Sequence, residues 1–150
     1  MPQTCLVKPY REAEGYLPNI IVLDKEKVKA DPYWKKASSV STGAPIHLIV
    51  EVVSTNWQDD YLTKLAEYEK LGVPEYWITD YRGLGGIRFI GSPKVPTVWI
   101  YQLRTEADGI EESPEYQQGR AFRKNEALES AVFSHLGLNV TQIIEAGLGN

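Results

Sequence analysis

The sequence has few soft metal ligands: one cysteine, Cys5, and two histidines in 150 residues. A single thiol closes no internal disulfide and builds no cysteine-based zinc site, so nothing points to an oxidising compartment. Long apolar runs are also missing. The most apolar stretch, Ile46–Val53 (IHLIVEVV), is interrupted by His47 and Glu51 and falls far short of the ~18 residues that mark a membrane span. The opening MPQTCLVKPYREAEG lacks the apolar centre of a secretory signal. A cytoplasmic protein without membrane contact is expected. Excess positive charge is absent too. A net charge of -4 argues against a general electrostatic grip on nucleic acid and leaves only a local one.

What remains is ordinary globular composition, 43% hydrophobic and 24% charged, and a length that suits one domain over residues 1–150. No repeat, low-complexity tract or linker divides it. Leu17–Asp24 (LPNIIVLD) predicts a buried strand. Residues 25–45, punctuated by proline, serine and glycine, predict a connection with one or two helical turns. Ile46–Ser54 is the strongest strand signal, apolar enough to be covered on both faces. Asp59–Leu71 predicts a helix opened by acids and ended by Gly72. Glu75–Tyr81 returns as a strand, so strand, helix and strand make a βαβ crossover with parallel strands. Gly86–Ile90 and Thr97–Arg104 predict antiparallel strands, residues 105–119 a hairpin or loop, and 126–133 a short strand or turn. Val140–Ala146 predicts a helix capped by Asn139.

Glu51 is the first residue that could carry chemistry. A carboxylate inside an apolar strand is costly unless it is paired. It is either a functional acid or a strand-end glutamate whose tip finds solvent or a cation. On a helical wheel at about 100° per residue, the apolar stripe of 59–71 is Tyr61, Leu62, Leu65, Tyr68 and Leu71. Lys64 lies on its flank. Helical side chains lean toward the helix N-terminus, so Lys64 reaches toward the end of the strand that bears Glu51. In a βαβ unit both face one crevice. The pair is a catalytic arrangement, a structural ion pair or a snorkelling lysine. Asn19 offers a carbonyl oxygen to a hard cation, or simply starts a strand.

Other residues carry weaker expectations. Lys25–Lys36 holds five lysines against two acids, either a solvated segment or a phosphate-facing rim that includes Lys35 and Lys36. Trp57 and Gln58, in the strand-to-helix loop, either touch a base or ribose or serve a packing or surface role. His47 shares a strand face with Glu51 and is expected to be a hydrogen-bonded core histidine. Asp80 is expected to serve a turn, and Trp77, Trp99 and Tyr101 the core or an interface.

The stretch IHLIVEVVS…DDYLTKLAEYEKLGVPEYWITD resembles the signature of the Uma-two family, a restriction endonuclease-like group with the PD-(D/E)XK nuclease fold. The matching pieces are Val50-Glu51-Val52-Val53-Ser54, Asp60 and Lys64 four apart, Tyr68, and Gly72-Val73-Pro74-Glu75-Tyr76-Trp77 closing on Asp80. Leu17–Val22 stands where the family has a Pro-Asp strand. The resemblance implies an α/β fold with a mixed central sheet, a βαβ crossover and flanking helices.

It also implies metal-dependent endonuclease activity on DNA, with Mg²⁺ or Mn²⁺ as cofactor. Carried over by position, Glu51 is the metal-binding carboxylate, the Val52 carbonyl and Asn19 are further ligands, and Lys64 is the catalytic lysine. Val53 stands where the superfamily usually keeps its lysine. Enzymes of this kind often act as dimers, and a homodimer through the strand near Trp99 follows from the resemblance. Two departures matter. Asn19 replaces the family aspartate, which removes a negative charge and lowers the expected Mg²⁺ affinity. The family's opening helix and its additional glutamate have no obvious counterpart; Glu12 and Glu14 are candidates by proximity alone, and a shortened N-terminus is expected. The alternative is a catalytically inactive nucleic-acid-binding or protein-interaction module on the same fold.

Overall fold

The structure is a computed structural model that describes residues 5–8, 15–104 and 113–149. Its centre is a five-stranded mixed sheet in the order β2-β4-β5-β6-β7, with β2 Ile20–Leu23, β4 Ile46–Val52, β5 Glu75–Asp80, β6 Thr97–Gln102 and β7 Arg120–Phe122. β4 and β5 run parallel, Glu51 beside Ile78, and the other neighbours are antiparallel. A short parallel pair, β1 Leu6–Val7 and β3 Ser39–Val40, forms a second sheet.

β4 explains the two-sided core. Ile49 and Val53 enter one apolar cluster, with Tyr61, Tyr68, Tyr76 and Ile78. Leu48 and Val50 enter the other, with Trp77, Val98, Ile100, Phe122 and Val140. The alternation is the period-two rule of a strand covered on both faces. The first face is closed by α2, Lys64–Leu71, which ends at Gly72 in the left-handed region (φ 82). The second is closed by α4, Val140–Leu148, where Asn139 and Gln142 form a reciprocal capping box. A 3₁₀ turn, Lys27–Ala30, and the short helices α1, Trp34–Ala37, and α3, Ile87–Ile90, lie in the connections.

Several expectations need correction. The segment around Ile20 is an edge strand rather than a buried one, and Ile20 is 52% exposed. Gly86–Ile90 is not a strand: α3 turns there, with Phe89 and Ile90 bonded back to the Gly86 carbonyl. The helix after β4 opens with a π-helical turn, Asp59–Thr63, before α2 begins. That extra residue shifts the wheel, so Leu62 is 51% exposed instead of joining the apolar stripe. His47 is not a core residue. Its side chain is half-exposed, with Nε2 3.8 Å from Asp24 Oδ2. Glu12, Glu14 and residues 105–112 lie outside the described residues.

Candidate active site

The C-terminal end of β4 and the first turns of the following helix meet at an open pocket of about 290 Å³, lined by Asn19, Glu51, Val52, Asp60 and Lys64, with Ser54 and Asn56 among the loop residues beside them. Ligands of open α/β sheets gather at such strand ends. β4 brings Glu51 on the same face as Ile49 and Val53, which leaves its side chain 2% exposed. The helix brings Lys64 and Asp60, one turn apart.

Lys64 Nζ stands 3.3 Å from Glu51 Oε2 and 3.0 Å from Asp60 Oδ1. It donates a hydrogen bond to the latter. The Tyr68 hydroxyl, one helical turn on, donates to Glu51 Oε1 at 2.8 Å. Both oxygens of the glutamate are therefore oriented. The Tyr16 ring lies 5.9 Å from the ammonium.

One cation serves two buried acids. Burial pushes the Glu51 carboxyl above its ordinary range, against the opposing pull of Tyr68 and Lys64. Burial pushes Asp60 up as well, against Lys64. For Lys64, burial favours the neutral amine, but Glu51 and Asp60 together outweigh it and hold its value above the usual one. Lys64 is thus held as a cation between two acids that burial pushes toward their neutral form.

The π turn positions this cluster. The Tyr76 hydroxyl, from β5, donates to the Asp60 backbone carbonyl at 2.8 Å, an insertion into the helical ladder of the kind that bends or widens helices. The Tyr61 hydroxyl donates to Asp80 Oδ2, and Asp80 also accepts from the Leu84 and Gly85 amides. Asp80 thus serves the turn after β5 and anchors the π turn. A side chain at Gly85 would meet Asp80 Oδ2 at 2.9 Å and Tyr61 Cε2 at 3.0 Å, so the close approach requires glycine.

Asn19 sits at the pocket wall beside the start of β2, and its Oδ1 accepts the Val52 amide at 2.8 Å. That bond extends the β2–β4 ladder by one side-chain link. The Val53 amide turns the other way, to Thr79 on β5. By the alternation of strand backbones, the Val52 carbonyl shares the Asn19 side with its own amide. Trp57 is half-buried against Tyr61 and Phe89, at centroid distances of 6.0 Å each. Gln58 is exposed at the head of the π turn, and Lys35 and Lys36 are exposed on α1, away from the pocket lining. Trp99 and Tyr101 stack on each other in β6, which is flanked by β5 and β7 and offers no free strand edge.

Sequence reasoning gave Asp60 no role of its own beyond opening a helix. Its spacing of four from Lys64 was the available signal. In the sequence Tyr68 counts only toward the apolar stripe and Tyr76 only as a piece of the family match, because nothing in a hydrophobic period marks where a hydroxyl will point.

The donor set suits a hard, oxygen-liganded cation. No group of three or more histidine, cysteine or acidic side chains converges as a metal cage among the described residues. The buried acids Glu51 and Asp60, the exposed Asp59 and the strand end at Val52 line an open, polar pocket and nonetheless fit the way Mg²⁺ is held, with one or two carboxylates and water in the remaining positions. No helix among the described residues is long and apolar enough to cross a membrane.

No curated protein matches the chain at a significant level. The profile of the Uma2 family, described as "Putative restriction endonuclease", matches residues 2–141. With that match over nearly its whole length, the chain belongs to the Uma2 family.

Proposed function

We propose that this chain is a metal-dependent endonuclease that hydrolyses phosphodiester bonds in DNA. The observation that carries the proposal is the meeting of Glu51, Asp60 and Lys64 in one open pocket at the end of β4. Glu51 and the Val52 carbonyl would hold Mg²⁺ or Mn²⁺, with Asn19 framing the strand end. Such an ion, when bound, makes water a better nucleophile and offsets charge on the phosphate. Tyr68 fixes the Glu51 carboxylate from below, so that its orientation does not depend on the substrate. Lys64, held protonated by the two acids, is suited to stabilising charge on a phosphate oxygen and to orienting a water, not to removing a proton. Of the groups present, the carboxylates with raised values are the better bases. Gln58, Trp57, Lys35 and Lys36 are proposed to contact the nucleic acid outside the pocket, and cleavage of both strands would call for a homodimer.

The test is relaxation of supercoiled plasmid with Mg²⁺ or Mn²⁺. Wild type should nick the plasmid, chelator should stop it, and Lys64→Ala and Glu51→Gln should each lose at least about tenfold in rate. Activity that survives Glu51→Gln, or persists in chelator, refutes the assignment.

The neutral Asn19 on the pocket wall, where the family aspartate would add a negative charge, favours a second reading, a nuclease-like module that binds nucleic acid without cutting it. A band shift by folded wild type, with no nicking under any divalent ion, would select that reading.

A further inference from the structure

Asn19 is neutral, and one of the two lone pairs of its side-chain oxygen accepts the Val52 amide, so position 19 brings no negative charge to the site. A second charged donor would come from another residue. Of the two other acids on the pocket wall, Asp59 is exposed and Asp60 is buried. The Asp60 side chain is 5% exposed and lines the same pocket as Glu51. Oδ1 is engaged by Lys64, whereas Oδ2 has no hydrogen-bond partner among the described residues and is not among their sealed orphan atoms. A buried carboxylate with one unpartnered oxygen thus stands in the pocket lining. The ammonium between Asp60 and Glu51 already demonstrates that the two carboxylates stand close enough to share one positive centre.

Resting on the metal-dependent reading above, we infer that Asp60 supplies the second carboxylate of the cation site, in place of the residue at position 19. The ligand set is then Glu51 from the strand, the Val52 carbonyl, and Asp60 from the π turn. Helix and strand each give one charge, and the Tyr76 hydroxyl on the Asp60 carbonyl holds the turn that presents it. Lys64, which holds both acids in this structure, would give them up to a cation bound there and would then be available to a phosphate. The chemical class of the ligand is a small divalent cation with oxygen preference.

Calorimetric titration of the full chain with MnCl₂ tests this without reference to cleavage. Wild type should bind. Asp60→Asn should weaken binding by about tenfold or more, and Asn19→Asp added to it should restore binding. Lys64→Met separates a ligand from a mere holder of the lysine: with the competing ammonium gone, Mn²⁺ should bind as well as in wild type or better. Circular dichroism confirms that each variant is folded. Asp60→Asn binding like wild type, or Lys64→Met losing as much as Asp60→Asn, overturns the role of Asp60 and leaves the metal-dependent reading standing. Wild type and Asn19→Asp both failing to bind Mn²⁺ overturns the two together.

Discussion

Removing a single oxygen from Tyr76 tests whether the π turn is held from below. Tyr76 is fully buried, with its ring edge-on to Tyr68 at 5.1 Å and stacked near Tyr101 at 6.5 Å. Phenylalanine keeps those contacts, so Tyr76→Phe deletes only the hydroxyl that donates to the Asp60 carbonyl at 2.8 Å. A buried carbonyl left without that donor costs about 1–3 kcal/mol. In a domain of this size each kcal/mol moves Tm by about 2–4 °C, so a loss of about 4–8 °C is expected for the middle of that range. The second consequence is geometric. If the widened turn reverts to α-helix, residues before it rotate by one residue, about 100°. Asp60 then leaves the pocket wall while Lys64, after the turn, stays. Scanning calorimetry should register the drop in Tm, and Mn²⁺ titration should register weaker binding in the same variant. A Tm within about 1 °C of wild type, with metal binding unchanged, would refute the claim that this hydroxyl holds the site.

Further outcomes follow from the same geometry. The raised Glu51 carboxyl means that the folded state holds this proton more tightly than the unfolded one, so its contribution to stability is full below the ordinary value of 4.5 and is lost as pH rises through the folded value. Glu51→Gln should therefore raise Tm at neutral pH, by an amount that shrinks toward pH 4.5, and a Tm difference independent of pH would contradict this. Glu75 is a buried carboxylate that accepts from Trp77 Nε1 and the Ala131 and Val132 amides; Glu75→Gln should cost at least about 2 kcal/mol by urea unfolding. Gly85→Ala should cost about 1–3 kcal/mol through overpacking against Tyr61 and Asp80, with a change in Trp57 fluorescence. Asn139→Ala should lose about 1 kcal/mol, the value of a helix cap, and leave Mn²⁺ binding intact.

The crossover was legible because two simple periods coincide there. Leu48, Ile49, Val50 and Val53 alternate between two apolar clusters, and the Gly72 turn fixes where the helix stops, so the parallel pairing of β4 with β5 follows from chain geometry. Glu51 stood out as a charge in an apolar run, and Lys64 as the residue on the flank of the wheel. What the periods hide is phase. The wheel assumes 3.6 residues per turn throughout 59–71, but the first turn is a π turn whose Asp60 carbonyl accepts the long-range Tyr76 hydroxyl, and Leu62 is exposed there. Such an insertion is tertiary and leaves no local trace. The helix at Ile87–Ile90 escaped for a related reason. Its apolar residues serve the Phe89 and Ile90 contacts with the first core, and four residues are too few to distinguish a strand from a turn of helix. β7 pairs Arg120–Phe122 with β6 through register alone, after an acidic stretch whose composition favours a loop.

The charge count at the site bears on why the fold carries it. Two acids inside the protein, with one lysine to share, make a cluster that is worse for folding than a neutral one of the same shape, as the upward displacement of both carboxyls indicates. A structural ion pair has no need of the second acid: Glu51 and Lys64 alone would be neutral, and Tyr68 already satisfies the remaining glutamate oxygen. Asp60 is nonetheless held in place by a turn of unusual geometry, pinned through Tyr76 on its own carbonyl and through Tyr61 on Asp80. Two buried tyrosine hydroxyls are thus directed at keeping an electrostatically unfavourable acid at the mouth of a polar pocket. Stability alone does not account for that arrangement, whereas the cation site proposed above would, because a bound divalent ion would offset both acids at once.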